Sequence, residues 1–398
     1  MANTISYGIF FDGTGNNKDE GEETKSNVAR LYELFKEGES SHKLYIKGLG
    51  TSSVGDIDFG DGGAVTKTFG AGFGYGGQRR IDYALKVLKE FSESIDSEDK
   101  IELDLFGFSR GAALARHFTN VIQDLQNISI RFLGLYDTVG SFGLPGNETN
   151  LSLDLSVNGE KIQKVYHITS SHEIRENFDL VSIKTSHEQK LPEHMTEDEY
   201  PGVHSDIGGG YPDSTEHDNA NNYLALIYLE KMHTVAKEAG LPLEDIPSKW
   251  IPRNDLIELF NSVVNLYQSQ PDIRDIHKEM INLEWTKEVL EKKKSIIKIP
   301  KGPRANRGIV NSKKNEKRLM TRSIEYVEKT TEEIKNKLDE LLAEQANTLL
   351  KSYEDLENNY IHKSHYYFNP TIGMQAQAKT IDVDDEKIEI CQRDIFYI

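Results

Sequence analysis

Residues 1–242 alternate short apolar runs with amphipathic segments, the pattern of strands and helices that follow one another. The runs ISYGIFFDG, KLYIKGLGT, KIELDLFGF and IRFLGLYDTVG are predicted strands, and DLVSIKTS is a further one. Between them lie predicted helices such as NVARLYELF and GQRRIDYALKVLKEF, and Gly240 is predicted to end the helix NNYLALIYLEKMHTVAKEAG. Strands that alternate with helices form βαβ units, so this region is predicted to be α/β with a mostly parallel central sheet.

The pattern changes after Pro242, and residues 243–398 are predicted to be a largely helical C-terminal region. Residues 245–290 have a helical, charged character, and residues 324–360 predict a long amphipathic helix. We expect the apolar stripe of this helix to pack on the α/β portion; the alternative is a separate partner helix. The closing segment TIDVDDEKIEICQRDIFYI alternates well enough to predict a hairpin. The apolar residues of the stripe are Val327, Ile334, Leu338, Leu341, Leu342 and Leu349.

Composition excludes several classes of function. No stretch approaches the ~18 uninterrupted apolar residues of a membrane-spanning helix, and the first residues lack the basic and apolar segments of a secretory signal. Cys391 is the only cysteine, which excludes an intrachain disulfide and a cysteine-rich zinc site. The net charge of −18 argues against general nucleic-acid binding. We therefore expect a protein that is made in the cytoplasm without a signal peptide.

The run LDLFGFSRGAALAR places Ser109 between two glycines, where a predicted buried strand turns into an alanine-rich helix. In a nucleophile elbow the turn is so tight that the residues two before and two after the nucleophile must be very small. Gly107 and Gly111 meet that requirement. The alternative is a tight turn that carries a polar residue without function, but the order of strand, turn and helix favours a nucleophile.

A serine nucleophile requires a base and a carboxylate that orients the base, in the chain order serine, acid, histidine. Asp137 follows a later predicted strand in RFLGLYDTVGSFG, although an aspartate before threonine also caps turns. Two histidines compete for the role of base. His167 in KVYHITSSHE has a strand context typical of a buried, hydrogen-bonded histidine, whereas His204 lies in the glycine-rich loop YPGVHSDIGGGY. We select His204 as the base.

The oxyanion hole is predicted to use the backbone N–H of Arg110 and a second N–H from Gly13 or Thr14 in the loop FFDGTGNN. This loop matches neither of the common glycine-rich nucleotide-binding sequences. Asp206 either holds the histidine loop by hydrogen bonding or competes with Asp137 as the acid. Asp12 and Asp206 could together suggest a metal site, but two acids far apart in the sequence are weak evidence for one. We expect no metal site.

The blocks FFDGTGNN, LFGFSRGAALAR, LYDTVGSFG and PGVHSDIGGGY, in that order over residues 10–211, resemble the α/β-hydrolase domain of type VI secretion lipase effectors of the first class. The resemblance implies that the serine, aspartate and histidine of these blocks form the catalytic triad, at Ser109, Asp137 and His204. It also implies a phospholipase of the A type that is delivered into rival bacteria. The implied partners are a cognate immunity protein and a secretion spike protein.

The function predicted from the sequence is that of a serine hydrolase with the α/β-hydrolase fold, which cleaves acyl esters of glycerophospholipids. Ordinary acyl hydrolysis needs no cofactor, and none is expected. Two other functions remain open. One is a soluble esterase or thioesterase for a small acyl substrate, and the other is a hydrolase-like module that binds without catalysis.

A basic strip over residues 292–322 interrupts this acidic chain, with Glu316 as its single acidic residue. Isoleucines lie among its charges, so one hypothesis is that the strip contacts anionic membrane lipids. A solvated loop or a patch for a protein partner explains the charge pattern equally well. The lysines assigned to the membrane contact are Lys292, Lys293, Lys294, Lys298 and Lys301.

Overall fold

The computed structural model of the 398-residue chain describes most of the first 341 residues and short segments beyond them. The described residues are 3–19, 21–51, 71–141, 153–175, 178–211, 223–300, 307–341, 351, 355–356, 359–361, 378–383, 386–391 and 395–396.

The described strands are β1 Thr4–Phe11, β2 Ser41–Ile46, β3 Lys100–Phe108, β4 Ile128–Tyr136, β5 Ile162–Ser170, β6 Leu180–Val181, β7 Met195–Tyr200, β8 Ala378–Val383, β9 Glu386–Cys391 and β10 Ile395–Phe396. Within the described part of the chain, six of these strands form one sheet in the order β2-β1-β3-β4-β5-β7, and each neighbouring pair is parallel. This confirms the predicted fold class, a mostly parallel sheet of the α/β-hydrolase type.

Helices cover both faces of the sheet. The described helices are α1 Asn27–Leu34, α2 Ala71–Ser94, α3 Arg110–Val121, α4 His204–Gly208, α5 Tyr223–Glu238, α6 Asn254–Ser269, α7 Pro271–Ile296 and α8 Arg307–Leu341. Phe10 and Phe106 pack on the side of α1 and α5, whereas Phe11 and Leu105 pack on the side of α2 and α3. Because successive strand residues point to opposite faces, a strand covered on both sides is apolar at every position, as the second halves of β1, β3 and β4 are.

One predicted strand is shorter than expected and one strand was missed. In DLVSIKTS only Leu180–Val181 is extended, and it lies outside the main sheet, where it pairs with β10. The outer strand of the sheet is Met195–Tyr200 instead, with the sequence MTEDEY. An edge strand has one open side, so it tolerates polar residues that hide it from a hydrophobicity pattern.

Most of the basic strip is helical, which contradicts the reading of the strip as a loop. Helix α7 extends to Ile296, and α8 begins at Arg307, earlier than the predicted start at residue 324. Lysine and arginine dominate the first turns of α8, and their charges obscure its helical period. Lys301 lies outside the described residues, as do Leu342 and Leu349.

The apolar stripe of α8 packs mainly on α7, so the expectation that it would lie directly on the α/β portion was wrong. Val327 and Leu338 are buried in this contact. Ion pairs join Lys287 to Glu328 at 2.8 Å and Glu284 to Lys335 at 3.1 Å. Because residue numbers fall along α7 as they rise along α8, the two helices are antiparallel. No described helix is both long and apolar enough to cross a lipid bilayer.

The C-terminal hairpin is confirmed, because β8 and β9 pair antiparallel. The strand β10 that follows it returns to the α/β portion and pairs parallel with β6. One apolar cluster also extends from Phe10 in β1 to Val327 in α8. The domain boundary at residue 242 stays a prediction.

Candidate active site

Ser109 occupies the turn between β3 and α3 with φ 59° and ψ −128°. Its N–H donates to the Tyr136 carbonyl at 3.0 Å, which anchors the turn on the neighbouring strand. A Cβ atom at Gly107 would lie 2.5 Å from the Ala112 Cα, and one at Gly111 would lie 2.3 Å from the Phe11 carbonyl oxygen. Larger residues at the two glycines would therefore collide with backbone. The turn has the strained geometry of a nucleophile elbow.

Parallel pairing brings Asp137 beside this turn. Phe108 of β3 is the partner of Tyr136 of β4, so Ser109 and Asp137 are the next residues on two adjacent strands. Asp137 also has a positive φ of 38°. Of the three described non-glycine residues with positive φ, two are therefore the predicted nucleophile and acid. Backbone strain of this kind concentrates at functional sites.

His204 begins α4 and faces Asp137. The distance between His204 Nδ1 and Asp137 Oδ2 is 2.6 Å, and since an ionised carboxylate only accepts, Nδ1 carries the proton. The other ring nitrogen, Nε2, is then the basic one. Ser170 holds the carboxylate through its N–H at 2.9 Å and its hydroxyl at 3.2 Å. Ser109, Asp137 and His204 are 2%, 0% and 3% exposed, so the three predicted residues lie together below the surface.

The His204 ring lies between two phenylalanines. Its centroid is 4.6 Å from that of Phe108, the residue before the nucleophile, and 4.9 Å from that of Phe178. Burial lowers the pKa of His204 below its usual value, although the Asp137 carboxylate opposes this effect. A lowered pKa keeps the imidazole neutral near pH 7, the state in which it can accept a proton.

The two competing residues, Asp206 and His167, make contacts elsewhere. Asp206 accepts the Val203 N–H at 2.9 Å, so of its two predicted roles the geometry supports that of holding the histidine loop. His167 is fully buried, and its Nε2 accepts the Thr138 N–H at 3.2 Å while Nδ1 lies 2.9 Å from Glu197 Oε2. His167 thus supports Thr138, the residue after the acid, as a buried and hydrogen-bonded histidine.

The structure narrows the choice of oxyanion donors. The Gly13 N–H donates to Asp12 Oδ1 at 2.7 Å, which makes Thr14 the better candidate for the second donor. Arg110 is the first residue of α3, where backbone N–H groups have no acceptor within the helix. Its guanidinium donates to the Thr14 hydroxyl and to the Ser141 carbonyl, both at 2.9 Å. Arg110 therefore joins the elbow to the loops on either side.

Sequence reasoning missed the buried supports of this site. Asp12 accepts hydrogen bonds from the Ser26 hydroxyl at 2.8 Å and from the Tyr45 hydroxyl, and burial raises its pKa to about 6. Glu173 and Arg175, which follow β5, lie beside His204. Because the carboxyl ends of parallel strands meet at one edge, the segment after β5 was a place to look for such residues.

Among the residues described, no group of three or more histidine, cysteine, aspartate or glutamate side chains is arranged to hold a metal ion.

The solved structures that are similar to this chain include the following two. An uncharacterized protein from Pseudomonas aeruginosa is 21% identical with a TM-score of 0.51, and the match covers 91% of this chain. This chain spans 65% of the length of that protein. The Tle1 effector bound to the VgrG spike of the type VI secretion system is 22% identical with a TM-score of 0.47, over 66% of this chain and 78% of the effector. No curated protein sequence matches the chain.

A family model gives the more specific result. The model of the type VI secretion phospholipase effector Tle1-like catalytic domain matches residues 8–126 and 122–251. The two matches contain the elbow, the acid turn and the histidine loop, and together they cover more than half of the chain. The chain therefore belongs to the family of type VI secretion phospholipase effectors with a Tle1-like catalytic domain.

Proposed function

We propose that this protein is a serine hydrolase that cleaves acyl ester bonds of glycerophospholipids, as a phospholipase of the A type. The observation that carries the proposal is the buried Asp137–His204 pair, 2.6 Å apart, beside the strained turn of Ser109. Membership of a phospholipase effector family supports the lipid class of the substrate. The identity of the lysophospholipid product assigns the glycerol position whose acyl ester is cleaved.

In the proposed reaction the Ser109 hydroxyl attacks the ester carbonyl while His204 Nε2 accepts its proton. Asp137 orients the imidazole and stabilises the imidazolium that forms. The backbone N–H groups of Arg110 and Thr14 stabilise the negative oxygen of the tetrahedral intermediate. His204 then protonates the departing lysophospholipid alcohol, and water releases the fatty acid by the same steps. This chemistry requires no cofactor.

We further propose that the protein acts in membranes of target cells after delivery by a type VI secretion system. The Tle1 effector, in the same family, was solved bound to the VgrG spike. A spike protein is accordingly the proposed carrier of this chain. A cognate immunity protein is the proposed partner that protects the producing cell.

The reaction is tested by incubating the protein with vesicles of mixed phospholipids and identifying the products by mass spectrometry. We expect free fatty acid and lysophospholipid, in equal amounts at early times. Phosphatidic acid or diacylglycerol would contradict the proposal, because these products require cleavage of bonds to phosphorus. Turnover of dispersed short-chain esters without vesicle hydrolysis would favour a soluble esterase. Absence of labelling by a fluorophosphonate would favour a binding module.

The end of α7 and the beginning of α8 are the proposed contact with the membrane. Lys292, Lys293 and Lys294 lie at the end of α7. Nearby, Ile296 is 61% exposed and Ile309 of α8 is 53% exposed. A protein of net charge −18 is repelled by an anionic bilayer unless its approaching surface is locally positive. Each basic residue near such a surface contributes ~1 kcal/mol, which salt screens.

Replacement of the five lysines by glutamine is expected to reduce sedimentation with anionic vesicles, most clearly at low salt. Turnover of a soluble short-chain ester should stay unchanged, because the strip takes no part in the chemistry. The replaced residues are Lys292, Lys293, Lys294, Lys298 and Lys301.

The matched control removes five exposed lysines from elsewhere on the surface and changes the net charge equally. It should reduce vesicle binding much less. Equal binding by the strip variant and the wild type would disprove the contact, and equal losses in the two variants would show only an effect of net charge. The control lysines are Lys86, Lys89, Lys100, Lys161 and Lys190.

A further inference from the structure

A segment after β5 holds the loop that carries the predicted base. Residues 171–173 run beside residues 200–204, with two backbone hydrogen bonds of 3.0 and 3.1 Å between them. In the opposite direction, the Gly202 N–H of the loop donates to the His172 imidazole at 2.9 Å. Glu173 Oε2 accepts the N–H of His204 itself at 3.2 Å. The position of His204 thus depends on side chains of this segment.

Glu173 forms a buried ion pair with Arg175. The guanidinium Nε donates to Oε1 at 2.9 Å and Nη2 donates to Oε2 at 2.8 Å. The backbone N–H groups of Ile174 and Arg175 also donate to Oε1, at 3.0 and 2.8 Å. Both side chains are almost completely buried. Since a buried charge requires a partner, each member of the pair keeps the other in place.

Arg175 also supports the aromatic contact of the base. Its guanidinium carbon lies 3.7 Å from the centroid of the Phe178 ring. That ring meets the His204 imidazole edge to face, with an angle of 75° between the planes. Phe108 lies on another side of the imidazole. The ring of His204 is therefore confined by two aromatic rings, one of which Arg175 holds.

We propose that Glu173 and Arg175 are positioning residues that hold the backbone and the ring of His204 in the orientation that proton transfer requires. Glu173 fixes the backbone N–H, and Arg175 acts through Glu173 and Phe178. This inference rests on the proposed function, because it assigns His204 the role of base.

The pair also acts on His204 by its charges, and this effect separates positioning from a merely structural role. Burial is the largest influence and lowers the pKa of His204. The charged groups that face the ring are Asp137, Glu173 and Arg175: the two carboxylates raise its pKa, and the guanidinium lowers it. Removing the Glu173 carboxylate should therefore lower the pKa of His204, and removing the Arg175 guanidinium should raise it.

The test measures kcat/KM against pH for Glu173→Gln, Arg175→Gln and the double variant on a soluble ester. The base must be neutral, so activity falls as the pH drops through the His204 pKa. Glu173→Gln should shift this acid limb to lower pH, and Arg175→Gln should shift it to higher pH. The double variant should lie between them, with kcat lowered about 10-fold to 100-fold by the looser imidazole and KM unchanged.

The control is Glu102→Gln, which removes a carboxylate that lies 2.7 Å from Arg131 near the amino end of β3, far from the elbow. Its acid limb should match that of the wild type. Thermal unfolding identifies variants that do not fold. If a single variant fails to fold, the double variant decides, since it removes both charges together. A double variant with wild-type kcat would overturn the inference, as would single variants that shift the acid limb in the same direction.

The result also separates this inference from the proposed function. If His204→Ala keeps its activity, the assignment of the base has failed. If His204→Ala is inactive while the Glu173 and Arg175 variants behave as wild type, only the positioning role has failed.

Discussion

Replacement of Ser109 by alanine is expected to lower kcat on phospholipid by on the order of 10⁶-fold, as loss of the nucleophile does in serine hydrolases. The oxyanion donors and the substrate contacts remain, so the residual rate still exceeds that in water. The fold should be retained, because alanine keeps the Cβ atom at φ 59° and removes only a hydroxyl. The measurements are fatty-acid release, fluorophosphonate labelling and thermal unfolding.

Ser323→Ala is the matched control for this experiment. Ser323 is also buried, but it lies in α8, where its hydroxyl donates to the Leu319 carbonyl at 3.0 Å. Its replacement should leave kcat and labelling unchanged. Fatty-acid release by Ser109→Ala at the wild-type rate would refute Ser109 as the nucleophile.

Replacement of each histidine by alanine should affect a different property: kcat for His204 and the free energy of unfolding for His167. His204→Ala should lower kcat about as much as Ser109→Ala, on the order of 10⁶-fold, because nucleophile and base act as a unit. The double variant should lose little more than either single variant. His167→Ala should keep kcat within about one order of magnitude and lower the free energy of unfolding by about 1–3 kcal/mol, because Thr138 and Glu197 lose a buried partner.

Activity on a soluble ester and chemical denaturation, measured on both histidine variants, distinguish these roles. An inactive but stable His167→Ala together with an active His204→Ala would reverse the assignment of the base. The acid is examined in the same way by Asp137→Asn, and Asp206→Asn is the comparison for the competing acid: the greater loss of kcat is expected for Asp137→Asn, which removes the partner of the His204 imidazole.

The parallel sheet and the place of the site could be predicted because both depend on short-range patterns. An apolar strand, two obligatory glycines and an alanine-rich helix occupy consecutive positions around Ser109. Asp137 could be chosen as the candidate acid because it directly follows an apolar strand, and in a parallel sheet neighbouring strands end at the same edge. Spacing alone left two histidines and two roles for Asp206, and the three-dimensional contacts favour His204 as the candidate base.

The supports of the site could not be predicted, because their partners are distant in sequence and their residue types are common at surfaces. Glu173 contacts the histidine loop 31 residues later. In the sequence alone, the charged pair in HEIR, residues 172–175, is equally typical of an exposed turn. The edge strand MTEDEY was missed because its open side tolerates polar residues. The start of α8 was predicted too late because the lysines and arginines near its beginning obscure its apolar helical period.

The pairing of β10 with β6 has a consequence for biosynthesis. The Val181 N–H of β6 donates to the Thr138 carbonyl at 2.9 Å, next to the predicted acid, and β10 pairs with the same strand. Ribosomes add about 5–20 residues per second, and β10 follows β6 by roughly 200 residues, so the partner strand emerges roughly 10–40 s later. During translation the acid turn is thus present well before the strand that completes its surroundings. We therefore expect full hydrolytic activity only from chains whose synthesis has passed Phe396, the last residue of β10.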